Sequence, residues 1–429
     1  MINSVQGRRT DGWGLNVAIG TFCAMLLPPV FAAVLSACLS KRNPFAAAAC
    51  IVVAAAAISA FYIPIGDQTD YYLLMQTWRD VGYSFSDFIA DSGMRERNLV
   101  HCSLFFLAKL GLTLEMFRAL LVAVSMTLGL SIIHSVLGMS GAGGTRQVLS
   151  SLMVLTSLPL FWVCTGFRYG MATILFVWGV VAIEVKDKSV LGWIALAIGA
   201  AVHYSMILFC AVFIMCRTEF FDALYSGRKR WAATCLVACG LSIGGNVTFG
   251  MLQNLMDGSG VGQVISTYLS GDAYFNSEFL EDMSDNTRLF YVLYGYVLFA
   301  VCPVIWSGWS AMRTNAPTVC GFIGTMLVAG FFMASNLTVL NRLIVVTMPL
   351  VAVAFILSLK DAVGFPALRF MCVAMLCAFV GLFPVLRMKK ALARSDIRQA
   401  LYKPSMSCLM HTYDEDWVAE NIENRSLVE

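Results

Sequence analysis

The chain has 429 residues, 59% of them apolar and only 13% charged, against roughly 25% charged in an ordinary soluble domain. Its 29 Lys and Arg against 26 Asp and Glu leave a net charge of +3, and mean hydropathy is +0.75. This excludes a soluble enzyme, a disordered scaffold and a nucleic-acid binder with a basic face, and leaves an all-α polytopic membrane protein.

In chain order the apolar runs are 14–39, 44–65, 98–111, 114–138, 147–166, 169–184, 190–216, 231–256, 288–310, 316–335, 339–359 and 365–386. The first lacks the short apolar region and small-residue cleavage site of a signal peptide, so it reads as a retained span. The short connections carry Lys41, Arg42, Arg146, Lys186, Lys188, Arg217, Arg228, Lys229, Arg230, Arg313 and Lys360. On one face of a membrane these bases mark the cytoplasmic side. The long loops 66–97 and 257–288 each hold six acids and are assigned to the outer side.

Both flanks of 190–216 are basic, so this run must enter and leave on the same side. It reads as a re-entrant pair of half-helices with His203 near the apex. The run 98–111 is only about 21 Å long as a helix and reads as a second re-entrant piece, from the outer side. Non-helical backbone at that depth is tolerated where it lines a cavity. The count is then about ten crossings with both termini outside, within a single membrane domain 1–386. The tail 387–429 carries seven bases and seven acids and reads as an amphipathic stretch followed by a loose end.

No disulfide framework or metal knuckle is expected. Most of the 14 cysteines sit inside apolar runs as small packing residues, and there is no CxxC. Walker, HExxH and GxSxG motifs are absent. The glycines of 258–262 follow no strand and read as an outer turn. Gly240 and Gly244 read as a close-packing face.

Ionisable groups at span ends and re-entrant apices are the candidates for chemistry. Arg168 lies between glycines at the outer end of two spans, where a planar guanidinium suits a ligand diphosphate. An interfacial Arg that snorkels to lipid phosphate is the plain alternative. His203 suits proton transfer or donation to a phosphate. Asp67, Asp70, Tyr71 and Tyr72 follow the second run, and Glu96 and Arg97 close the same loop. Arg342 and Arg288 are further outer cations. Asp67 or His203 is the candidate general base, and tyrosine rings of the outer loops, Tyr268 and Tyr274 among them, are candidates to stack on sugars.

At these residues the chain resembles the EpsG-like branch of the Wzy-type polymerases, which polymerise O-antigen and exopolysaccharide repeat units. The resemblance rests on Asp67 with Tyr71, on Glu96 before a short helix, on Arg168 through Ala172, on His203 with Ser205, and on Arg342. Arg97 stands where a Pro is common, and Val346 where a Tyr is common. The resemblance implies a glycosyltransferase-C-like fold in the bacterial inner membrane, with the active site facing the periplasm. It implies transfer of a growing undecaprenyl-diphosphate-linked glycan onto an incoming lipid-linked repeat unit. It also implies a membrane partner that sets chain length. Two arginines can replace a metal ion, and no cofactor is expected. A flippase of lipid-linked oligosaccharide and an O-antigen ligase-type transferase are the competing readings.

Overall fold

The computed structural model describes residues 13–64, 67–80, 82–91, 99–140, 145–186, 188–218, 228–243, 297, 300–302, 305, 308–332, 337–359, 367–387, 393–423 and 426–427. Among them the protein is helical, apart from a two-residue antiparallel ladder, Ile422–Glu423 on Ser426–Leu427. Four helical stretches are long and apolar enough to cross a membrane: Leu114–Ser140, Thr145–Thr165, Phe167–Glu184 and Val339–Ser358. The last two are 83% and 89% buried and form the centre, whereas the first two are 39% buried and leave one side free to face lipid.

The first apolar run is not a single helix. It divides into α1 (Trp13–Leu26) and α2 (Pro29–Leu39), because Pro28 and Pro29 cannot sit in a helix interior and Pro29 instead opens the second helix. Both helices pack on α3 (Pro44–Ala60). Asn43 caps α3 by accepting from the Ala46 N–H at 3.1 Å and donates to Asn16 at 2.9 Å. The Cys50 thiol points to the Gly20 carbonyl, and Ser36 donates to the Ala47 carbonyl at 2.7 Å. Hence α1 runs parallel to α3 and α2 antiparallel to it. The run 14–39 is a hairpin whose apex is Leu27–Pro28, and its first residues lie at the end of Lys41 and Arg42. The run is thus two antiparallel helices rather than the single helix expected.

The stretch 66–97, expected as a loop, is largely helical where described: α4 (Asp67–Asp80) and α5 (Phe85–Asp91). Tyr71, Tyr72, Met75 and Trp78 form one buried face of α4, at helical spacing. α6 (Leu99–Lys109) lies mainly beside α4. His101 meets Tyr71, and Lys109 donates to the Trp78 carbonyl. α7 (Leu114–Ser140) then runs the length of the molecule. In its first turns Arg118 is fully buried and donates to the carbonyls of Ser59, at 3.2 Å, and of Tyr62. A cation at these carbonyls closes the C-terminal end of α3, where unpaired acceptors collect.

α8 (Thr145–Ser157) and α9 (Leu160–Thr165) are separated by Pro159, and α10 (Phe167–Glu184) follows after Gly166. Against α10 pack α11 (Ser189–Val202) and α12 (Ser205–Met215). A Cβ on Gly192 would lie 2.4 Å from Ile183, and one on Gly199 would lie 3.2 Å from the Ala172 carbonyl, so α11 is antiparallel to α10 and close to it. α12 returns. Phe213 packs on Trp193 with ring centroids 6.2 Å apart, and Arg217 forms an ion pair with Glu184 at 3.4 Å. The run 190–216 is therefore a helical hairpin, with His203 at the apex and both ends at Glu184, Lys188 and Arg217.

The remaining long helices are α13 (Arg228–Ile243), α14 (Pro317–Phe332), α15 (Leu337–Ser358) and α16 (Ala367–Arg387). Beyond them a 3-10 turn, α17 (Asp396–Leu401), and a short helix, α18 (Ser405–Leu409), fold back onto the N-terminal hairpin, and a further short helix, α19 (Glu415–Asn421), follows. Ser405 donates twice to the Leu27 carbonyl, through its N–H and its hydroxyl, each at 2.8 Å. Ala400 and Cys408 pack with Ala57 and Phe61. The Tyr413 hydroxyl donates to the Phe61 carbonyl at 2.7 Å, and the Tyr72 hydroxyl donates to the Tyr413 carbonyl at 2.8 Å. Where described, the tail is docked, at the end of the molecule where α4 begins.

Candidate functional site

The two central helices start at the same end, and each delivers an arginine from its first two turns. Arg168 is the second residue of α10, and Arg342 the sixth of α15. The Arg342 guanidinium lies over the Tyr169 ring, 5.6 Å from its centroid. The Tyr169 hydroxyl donates back to the Arg342 carbonyl at 2.6 Å. The Arg168 guanidinium lies over Tyr71 on α4, at 5.8 Å. Arg168 is partly buried rather than turned out among the exposed positions. Both cations thus lie over aromatic faces.

His203 completes the cluster. Its ring meets Tyr169 edge-on at 5.4 Å and stacks on Tyr204 at 5.0 Å. The charges of Arg342 and Arg168 both act on it. The backbone N–H of Ser205 points at His203 Nδ1 from 3.3 Å, and the Ser205 hydroxyl lies 2.7 Å from the same atom. A backbone amide can only donate, so Nδ1 is the acceptor and the ring proton sits on Nε2. The imidazole thus offers a donor on its free side, beside two guanidinium groups and the N-terminal end of α10. Gly166 gives that end no side-chain cap, and uncapped N–H groups with the helix dipole favour an anion there.

The structure brings together Arg168, His203, Arg342 and Tyr71, drawn from four separate parts of the sequence. Tyr72, next to Tyr71, instead turns to the tail. Asp70 is half-buried on the first turn of α4. Asp67 opens α4, and only its backbone is described. Glu96, Arg97 and Arg288 lie outside the described residues, as does the second acidic loop with Tyr268 and Tyr274.

Four further residues join the site without having stood out in the sequence. His101 is buried against Tyr71 and within reach of the Arg168 charge. An ionisable group inside an apolar helix was the signal for it. Tyr169 links both arginine turns to His203. Gln68 is fully buried and donates to the Cys164 carbonyl, which ties the first turn of α4 to the chain just ahead of Arg168. Asn341 is buried beside Arg342, and its Oδ1, like Gln68 Oε1, is a buried acceptor with no partner. Among the described residues no group of three or more His, Cys, Asp or Glu has metal-binding geometry.

Comparison with protein-family models, with curated proteins and with solved structures finds no match to this chain.

Proposed function

We propose that this chain is an integral-membrane glycosyltransferase of the polysaccharide-polymerase kind, as its resemblance to the Wzy-type enzymes implies. Its substrates would be glycans carried on undecaprenyl diphosphate at the outer face of a bacterial inner membrane. The fold would be glycosyltransferase-C-like. Of the roughly ten crossings read from the sequence, nine remain when the first run is taken as a hairpin. The start of α1 then lies on the Lys41 side, with the described tail on the Arg168 side.

The observation that carries this reading is the meeting of two guanidinium groups and a donating imidazole at one end of the two most buried spans. Such a set suits a diphosphate. Glycan transfer breaks the bond between the donor's anomeric carbon and the lipid diphosphate, and negative charge grows on that leaving group. Donors already fixed in place in a water-poor site stabilise this charge without reorganising, and each is worth about 3–4 kcal/mol by analogy with oxyanion holes. Arg168 and Arg342 form the clamp in this scheme, and His203 Nε2–H adds a third donor. The acceptor hydroxyl must lose a proton to a base within hydrogen-bond reach. With the His203 proton on Nε2, that role falls to a carboxylate of the first turn of α4, Asp67 or Asp70, or to Glu96. The preformed diphosphate linkage supplies the driving force, consistent with the lack of an ATP motif.

The test is polymerisation by purified protein supplied with lipid-linked repeat unit. Arg168→Ala should abolish the product ladder while the protein still folds, and Arg168→Lys should remain poor because a point charge loses the bidentate fork. A normal ladder from Arg168→Ala would refute the clamp. Extension of glycan in detergent separates this reading from a flippase, which needs two compartments.

A further inference from the structure

The N-terminal hairpin is too short to fill a membrane. Its legs have 14 and 11 residues, about 21 and 16 Å at 1.5 Å per residue, whereas the hydrocarbon layer is about 30 Å thick. Starting from the Lys41 end, the apex at Leu27–Pro28 stops roughly 10 Å short of the far boundary. The tail is docked on that apex through Ser405. Near the apex, Leu26, Val30 and Phe31 are exposed on the hairpin. On the tail, Leu401, Tyr402, Met406 and Met410 are each 57–66% exposed. Four large apolar side chains on one 10-residue stretch, adjoining the exposed face of a membrane-buried hairpin, do not suit an aqueous surface. Residues 393–410 carry Arg394, Arg398 and Lys403 against one acid, Asp396, and all four are exposed.

We propose that residues 393–410 form an interfacial foot. Leu401, Tyr402, Met406 and Met410 enter the acyl region of the leaflet on the Arg168 side, completing the lipid-facing wall that the hairpin leaves unfinished. Arg398 and Lys403 reach the lipid phosphates above. Two observations choose a lipid surface as the occupant: continuity with the exposed face of the hairpin, and the basic excess beside the apolar residues. The tail bases are then outer-side residues held by lipid phosphate, which explains why they depart from the positive-inside pattern. The inference rests on the membrane placement and is independent of the glycan chemistry.

The test uses the full chain, purified and reconstituted alone in vesicles of phosphatidylethanolamine and phosphatidylglycerol. Met406→Cys, Tyr402→Cys and Lys403→Cys are each treated with a membrane-impermeant maleimide, with labelling of the parent protein subtracted. Lys403→Cys should react at least 10-fold faster than the other two. A fluorophore placed at 406 should be quenched by lipid carrying a nitroxide high on its acyl chain, and one at 403 much less. Equal reaction at 403 and 406 would overturn the proposal. So would protection at 402 and 406 without quenching by the lipid nitroxide, because the cover would then be a second copy of the chain. Having two apolar positions keeps the test decisive if one variant misfolds.

Discussion

Gly170 offers the sharpest test of how the site is held. It lies two residues after Arg168, where α10 crosses the end of α9. A Cβ at position 170 would stand 2.5 Å from the Val163 nitrogen and 2.6 Å from the Trp162 carbonyl carbon. That is about 0.9 Å inside the 3.4 Å at which ordinary contact begins, and the obstructing atoms are backbone. Gly170→Ala must therefore push α9 and α10 apart by a comparable distance, and Arg168 and Tyr169 ride on the moving turn. Overpacking of this kind costs about 1–3 kcal/mol. A displacement near 1 Å at a reacting centre costs on the order of 100-fold in rate. The assays are thermal unfolding in detergent and glycan extension by purified protein. Gly138→Ala is the control, since a Cβ there meets nothing within 4 Å in the last turn of α7; it should be close to neutral. If Gly170→Ala retained full stability and full activity, the close crossing of α9 and α10 would not be what positions Arg168.

Three further outcomes follow from the same geometry. Ser205→Ala should leave His203 Nδ1 with only the backbone N–H at 3.3 Å and lower the extension rate about 5-fold, one hydrogen bond's worth, while Ser205→Thr keeps the hydroxyl and most of the rate; equal rates in all three proteins would remove the Ser205 hydroxyl from the site. Tyr169→Phe removes the second donor to the Arg342 carbonyl, which keeps its helix bond, and should cost about 0.5–1.5 kcal/mol in unfolding free energy, read from denaturation midpoints. In the tail, burial holds the His411 imidazole below its ordinary protonation range, with the Asp396 carboxylate at 3.9 Å acting in the opposite sense. The folded protein then binds fewer protons than the unfolded chain once pH drops below about 6.5, so stability should be full above that value and decline beneath it. His411→Phe, which keeps ring contacts with Phe61 and Tyr413, should flatten the fall in Tm between pH 7 and 5; an unchanged slope would place the titration elsewhere.

Much of the site could be read from the order of charges along the chain. Lys186, Lys188 and Arg217 required 190–216 to return to the side it came from, and that alone put His203 at an apex. Arg168 and Arg342 were legible because a cation at the head of an apolar run is costly unless used. Local steric information was present but outweighed by run length at Pro28 and Pro29, so the hairpin passed for one span. The face made by Tyr71, Tyr72, Met75 and Trp78 has helical spacing, yet the acids interleaved with it gave the stretch the character of a loop. His101, Gln68 and Arg118 were not legible as partners. Their contacts join positions tens of residues apart, and neither hydropathy nor periodicity encodes which helix ends meet.

The clasp between Ser405 and Leu27 has a temporal consequence. It joins positions 378 residues apart, so the helical pair α1 and α2 waits for 378 further residues of synthesis before its apex is covered. At 5–20 residues per second that interval is on the order of 20–75 s. Throughout it, the Leu27 carbonyl at the proline break lacks both Ser405 donors, and truncation anywhere upstream of residue 405 removes them for good.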